Sequence, residues 1–256
     1  GAFQKRLLLE DMPGIGKKGD PVIVDGAQII NPAGHFDFMR WMVISGTMAE
    51  LKRNGITFVH HSNINNLGVV LDNEHMAIKG YFWRKIVEAD NNSWDVPLTL
   101  VECVESSGKI GSYPVMVDGK KHLLRADMFP EGYPVSRISH FNTGNYWFYV
   151  DGILDKLGFG DSYDKEFGMA AIAERFDAAF SVEPYLSLKE VNKGAGEPLK
   201  CEYSLQIERN LDDFMGCGEW IALKVSNDRF IPVKTEDELN ESKDRIARIL
   251  KDNVDL

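Results

Sequence analysis

Cysteine is scarce: Cys103, Cys201 and Cys217 are the only three in 256 residues, odd in number and far apart. That excludes a disulfide framework and a zinc-ligand pattern, and leaves each as core filler. Runs of Lys and Arg are missing and the net charge is −10, which excludes a nucleic-acid surface built on general basicity. No apolar stretch approaches the roughly 18 residues a membrane-spanning helix requires. The N-terminus shows no charged n-region, long apolar stretch or small-residue cleavage site, so a cytoplasmic location is expected. Tandem repeats and low-complexity linkers are absent too. What is present, 44% hydrophobic and 27% charged residues, fits one large globular domain or one domain with a small appendage. The negative total still permits a local cationic pocket for a phosphate, because net charge does not describe single sites.

Along the chain, residues 11–25 are rich in Gly and Lys and read as a surface loop followed by a short strand, Pro21 to Val24. Apolar spacing predicts a helix from Asp37 to about Asn54 with Gly55 as its C-cap. Ile56-Thr-Phe-Val-His-His then reads as a buried strand, and its place after a helix and a Gly predicts a crossover unit in a parallel sheet. Residues 72–79 read as a short helix capped by Asp72, and residues 97–104 as a further strand. Asp118-Gly119, between two apolar segments, is a type I′ hairpin signal. A helix is predicted from about Lys165 to Ala179 with Phe167, Ile172, Phe176 and Phe180 near one face. A last helix opens on the capping box Thr235-x-x-Glu238 and is expected to turn Leu239, Ile246, Ile249 and Leu250 inward. The class is α/β with a mixed sheet and an inserted hairpin. The expected organisation is one core over 1–225, with residues 226–256 as its C-terminal strand and helix.

Four segments invite a chemical reading. Asn63-Ile-Asn65-Asn66-Leu-Gly68 follows a strand end, where α/β sheets bind ligands. Its short amides suit sugar hydroxyls and phosphate oxygens, and equally suit an Asn-rich turn. Phe141-Asn142-Thr143-Gly144-Asn145 ends a second apolar stretch in the same style, with Tyr146 and Trp147 readable as core packing. In Gly34-His35-Phe36-Asp37, Gly34 permits close approach of a ligand and Asp37 suits a helix cap. Arg229-Phe-Ile-Pro-Val-Lys234-Thr235 places a lysine just before a helix N-terminus, where it either meets a phosphate or is simply solvated. The six histidines show no metal-ligand pattern, and the adjacent His60 and His61 point to opposite faces of their strand. Gly14-Ile-Gly16-Lys17-Lys18 lacks both the spacing of a phosphate loop and a preceding strand.

In this order the segments resemble the eukaryotic-type UDP-glucose and UDP-N-acetylhexosamine pyrophosphorylase family, over nearly the whole chain. Phe3-Gln4 resembles the segment whose Gln reads the uracil edge. Gly34-His35-x-Asp37 is similar to G-H-G-D, and Ser62-Asn63-Ile-Asn65-Asn66-Leu-Gly68 to S-N-x-D-N-L-G. Phe141-Asn142-Thr143-Gly144-Asn145 resembles the sugar-binding F-N-T-N-N or F-N-A-G-N, and residues 229–235 resemble R-F-x-P-V-K-T. There are departures. No glycine-rich nucleotide loop is seen, the family's Asp is Asn65, Arg125 stands where a Glu is expected, and Lys109 matches the V-K-G-G lysine only loosely.

The resemblance implies a nucleotide-diphospho-sugar transferase-like, Rossmann-like fold, N-terminally truncated. It implies a uridylyltransferase that joins UTP to a sugar 1-phosphate, most naturally glucose 1-phosphate, with Mg²⁺ as cofactor and pyrophosphate as product. Lys234 would be the catalytic phosphate clamp, Gln4 and Gly34 the uracil side, and His35, Asn63, Asn65, Asn142 and Asn145 the remaining substrate contacts. The rival expectation is a non-catalytic UDP-sugar or sugar-phosphate binding protein, or the partner of a separate N-terminal chain. Neither a nucleic acid nor a membrane is an expected partner.

Overall fold

The computed structural model describes residues 3–5, 7–8, 20–21, 23–24, 27–28, 30–32, 34–92, 95–106, 111–159, 168–182, 185–190 and 203–254. Most of the loop read over 11–25 lies outside them, as do Lys109, Phe167 and Cys201. The chain divides into two compact units, one of Gly1–Ala49 with Asp161–Cys217 and one of Glu50–Gly160 with Gly218–Leu256.

The second unit carries a four-stranded mixed sheet. In chain order its strands are β1 (Phe58–His61), β2 (Thr99–Glu105), β5 (His140–Tyr149) and β6 (Trp220–Lys224), and they lie side by side as β6-β2-β5-β1. β6 runs parallel to β2, whereas β5 is antiparallel to both β2 and β1. The neighbour of β1 is therefore antiparallel, and β1 is half-buried throughout. This corrects the expectation of a buried strand in a parallel sheet; with β5 between them, β1 still runs parallel to β2. Strands β3 (Ser112–Val117) and β4 (Lys120–Arg125) form the expected hairpin, with Asp118 at φ 48° and Gly119 at φ 74°, the two positive values a type I′ turn requires.

Helix α1 (Asn73–Asn91) is capped as predicted, the Asp72 side chain accepting from the backbone N–H of His75 at 2.8 Å, but it continues twelve residues past the predicted end at Lys79. One face of it meets the sheet, so that Ile78, Phe82 and Ile86 pack with Leu100, Val104, Tyr113, Phe141 and Trp147. Helix α2 is Val150–Lys156 and helix α3 is Glu236–Val254. At the start of α3 the capping box forms in both directions, Thr235 N to Glu238 Oε2 at 3.1 Å and Glu238 N to Thr235 Oγ1 at 3.2 Å. Leu239 and Leu250, expected inward, are exposed. The charges around α3 leave it largely solvated, with Ile246 and Ile249 half-buried.

The helix predicted over 37–54 is two helices, Phe36–Ile44 in the first unit and Thr47–Arg53 across the unit boundary at Ala49 and Glu50. The break falls at Gly46, whose φ of 80° is outside helical backbone, and Ser45 Oγ bonds back to the Trp41 carbonyl. Gly55 does end the second helix. Its N–H bonds the Lys52 carbonyl and that of Ile56 the Leu51 carbonyl, the paired bonds of a Schellman motif. The helix read over 165–179 is described from Met169 to Ala179, and buries Ile172 and Phe176, with Phe180 buried just beyond its end. Those aromatics pack with Phe36 and Phe214. The strand read over 21–24 is two short ones, Asp20–Pro21 and Ile23–Val24, in different sheets.

Candidate functional site

Three of the four segments singled out in the sequence converge within the second unit. The first is the loop after β1. It is laid flat against the chain between β6 and α3, with Leu67 N bonding the Ile231 carbonyl at 3.0 Å and Val233 N the Asn65 carbonyl at 2.8 Å. The approach is close enough that a Cβ on Gly68 would stand 2.3 Å from the Asp228 carbonyl oxygen. Asn66 is buried and holds this junction together. Its Nδ2 donates to the Arg229 carbonyl and to Asn145 Oδ1, and its Oδ1 accepts from the N–H groups of Gly68 and Ile231. The third segment, ending at Lys234, is thus joined to the Asn loop through the backbone before it, and Lys234 itself is exposed.

The second segment is a bulge in β5. Pairing with β2 runs Asn142 to Cys103 and resumes at Tyr146 to Val101, so residues 143–145 stand opposite the single Glu102, two more residues on the β5 side than on β2. Bulges of this kind re-aim side chains. Gly144 sits at φ 79°, and a Cβ there would lie 2.9 Å from Asn63 Nδ2, which places the half-buried Asn63 against the bulge. Asn142 is buried and turned inward: its Nδ2 donates to Ser112 Oγ at 3.0 Å and to the Tyr146 hydroxyl at 2.7 Å, while its Oδ1 accepts from Gly144 N. Asn145 is fully buried, its Oδ1 accepting from Ser62 Oγ at 2.8 Å. Both amides therefore shape the loops, and Asn63, Asn65 and Lys234 are the side chains of this group with surface to offer.

Beneath these segments lies a charge pair that sequence reasoning did not find. Glu102 in β2 is 0% exposed and Arg229 is 1% exposed. They meet in a two-pronged contact, Nε to Oε2 at 2.8 Å and Nη2 to Oε1 at 2.9 Å. The Trp147 indole donates to Glu102 Oε1 at 2.7 Å and Asn145 Nδ2 to Oε2 at 3.2 Å. His60 Nε2 stands 3.5 Å from Oε1, within ion-pair reach but at the limit of a hydrogen bond. Burial alone would raise the Glu102 pKa. The contacts with His60, Arg229 and Trp147 and the Arg229 charge outweigh it and hold the carboxyl well below the usual range. His75, packed on His60 and Trp147, is pushed down to about 4, first by burial and then by its neighbours His60 and Arg229. One signal in the sequence pointed here: Glu102 is a lone charge in the middle of an apolar strand, which obliges a buried partner.

The remaining predicted residues belong to the first unit. Gln4 lies in the strand Phe3–Lys5, paired with Asn31. Gly34 has φ 107° and a Cβ there would meet the Arg209 carbonyl at 2.2 Å, so glycine is required for packing on that backbone. His35 is the N-cap of helix Phe36–Ile44 and is exposed. Asp37, expected as the cap, is instead buried in the first turn, and burial raises its pKa. Among the described residues no group of three or more His, Cys, Asp or Glu could hold a metal ion. Among the described residues no helix is long and apolar enough to cross a membrane. A separate apolar cleft of about 290 Å³ lies at the other end of β1, lined by Thr57, Phe58, Met76, Lys79, Gly80 and Trp83.

A family model described as UTP–glucose-1-phosphate uridylyltransferase matches residues 13–249. The protein of Schizosaccharomyces pombe named "Probable UTP–glucose-1-phosphate uridylyltransferase" is 23% identical over 214 residues, 81% of this chain and 36% of that protein. Among solved structures, UDP-glucose phosphorylase from Trypanosoma brucei aligns with a TM-score of 0.64 at 19% identity, over 93% of this chain and 45% of that one. The V402W mutant of UDP-glucose pyrophosphorylase from Leishmania major aligns at 0.61 and 19%, over 93% and 46%. These alignments match the mixed α/β architecture, and the chain spans about a third of the curated relative and under half of each structure. With the family model matching most of its length, the chain belongs to the UTP–glucose-1-phosphate uridylyltransferase family.

Proposed function

We propose that this chain takes part in forming a UDP-sugar and pyrophosphate from UTP and a sugar 1-phosphate, with glucose 1-phosphate as the sugar substrate, on a Rossmann-like core in the cytoplasm. The observation that carries the reading is the convergence of the Asn loop, the β5 bulge and the backbone leading to Lys234. It gathers neutral amides and one exposed cation at a strand end, where a hydroxyl-rich phosphate ester is bound by hydrogen bonds and charge. A sugar 1-phosphate oxygen attacks the α-phosphorus of UTP in line; its new P–O bond replaces the bond to the departing pyrophosphate. The protein's part is positioning and neutralisation of charge.

In this proposal Lys234 clamps a phosphate, while Asn63 and Asn65 offer amides to the sugar 1-phosphate. Asn142 and Asn145 set the shape of the bulge. The family resemblance assigns Gln4 and Gly34 to the uracil and His35 to the sugar. Magnesium in such reactions is held by carboxylates together with substrate phosphates. The described residues do not fit it on their own: position 65 is the neutral Asn65, and both oxygens of Glu102 are taken by Arg229, Trp147 and Asn145. Any ion would come with the nucleotide. Membership of an enzyme family and the exposed Lys234 favour catalysis over a purely binding role.

The test is Lys234→Ala. Affinity for UDP-glucose by calorimetry should fall by about 1.5–3 kcal/mol, the range for hydrogen bonds to charged groups. The melting temperature should stay unchanged, because the side chain is exposed. Equal affinity in a folded variant would return Lys234 to an ordinary surface charge.

A further inference from the structure

We infer that Glu102 and Arg229 are positioning residues for substrate binding, their buried pair fixing the loop 62–68, the bulge 143–145 and the backbone before Lys234 in one arrangement. This rests on the reading of those segments as the ligand site. The contacts form a closed ring. Glu102 accepts from Asn145, Asn145 accepts from Asn66, Asn66 donates to the Arg229 carbonyl, and the Arg229 guanidinium returns to Glu102. Each segment of the proposed site supplies one member, Asn66, Asn145 and Arg229, and Glu102 comes from the sheet beneath them. Asn66, the outermost, then fixes Gly68 and Ile231 through its other end.

Stability does not demand such a pair, since a buried ion pair replaced by well-packed apolar residues often leaves a protein equally stable. Orientation does: a guanidinium fork against a carboxylate admits one geometry, whereas two apolar side chains fill the same space without directing a hydrogen bond. The ring also accounts for an otherwise costly composition, two charges and two amides under a surface loop, with Arg229 Nη1 left without a hydrogen-bond partner. That nitrogen faces Asp72 Oδ1 at 3.7 Å, which also caps α1, so the pair is tied to the helix as well.

The experiment compares three forms of the full chain by thermal melting, amide hydrogen exchange and UDP-glucose titration: wild type, the double variant Glu102→Leu/Arg229→Met, and Arg229→Lys. The expected result is that the double variant folds and melts below wild type, because the Trp147 indole and Asn145 Nδ2 lose their acceptor. The amides of Leu67, Gly68, Ile231 and Val233 should exchange at least about tenfold faster than that global loss accounts for, the equivalent of one further lost hydrogen bond, and UDP-glucose affinity should fall at least about tenfold. A side chain that merely fills space would not single out those four amides. Arg229→Lys keeps the charge and loses the fork; if the double variant fails to fold, the same amides in Arg229→Lys decide the matter. Wild-type protection at those amides in a folded variant overturns the positioning role. Faster exchange with no UDP-glucose binding by the wild type upholds the ring and overturns the functional reading instead.

Discussion

Replacing Gly68 by alanine adds one methyl group where the loop lies flattest. The new carbon would stand 2.3 Å from the Asp228 carbonyl oxygen, 2.7 Å from the Arg229 carbonyl carbon and 2.9 Å from Phe230 N. Ordinary contact begins near 3.4 Å, and all three atoms are backbone, so no side chain can rotate away. The loop must lift by about 1 Å, which takes Leu67 N beyond bonding distance of the Ile231 carbonyl and strains the bond from Gly68 N to Asn66 Oδ1. Two hydrogen bonds at about 1 kcal/mol each, with about 1–3 kcal/mol for overpacking, give a loss of about 3–5 kcal/mol. That is a large share of a typical stability of about 5–15 kcal/mol. Urea denaturation followed by circular dichroism measures it, with Gly80→Ala as the control. Gly80 is an exposed glycine within α1 with nothing within 4 Å of an added Cβ, and its replacement should stabilise by about 1 kcal/mol. A Gly68→Ala midpoint equal to wild type would refute the close approach of the loop to residues 228–230.

The other predictions concern the buried groups. His75 has a folded pKa of about 4, below the unfolded value of about 6.5, so the unfolded chain takes up its proton first. Stability should fall as pH drops from about 6.5 to 4, by at most about 3 kcal/mol, and then level for this group. Glu102, also depressed, extends the acid loss below its unfolded value near 4.5. His75→Asn should flatten the upper part of a stability-versus-pH profile and leave the lower part; an unchanged profile would contradict the assignment. Asn142→Ala leaves Ser112, Tyr146 and Gly144 N each short of a partner, and should lower stability by about 2–4 kcal/mol in the same urea assay. Wild-type stability in that variant would contradict its inward orientation.

What the sequence showed was local. Asp118-Gly119, the Thr235–Glu238 box, the Asp72 cap and the Gly55 terminator each act within a few residues, and each formed as read. The ligand-type segments were likewise legible by residue type, and the structure joins Asn65, Asn66 and the backbone before Lys234. What it hid depends on partners far along the chain. Glu102 and Arg229 are 127 residues apart, and no period or spacing pairs them. The inward turn of Asn142 follows from Ser112, thirty residues earlier. Asp37 had the chemistry of a cap, but Phe36 N is already bonded to the Arg209 carbonyl and the helix starts at Phe36, which puts the carboxyl inside the first turn.

The most direct test is to titrate UDP-glucose into the isotopically labelled full chain and follow every backbone amide. The account predicts saturable shifts concentrated at Asn63, Asn65, Gly144 and Lys234, weakened together by Lys234→Ala. Shifts confined to the Met76–Trp83 cleft, or no shifts in a folded chain, would contradict it.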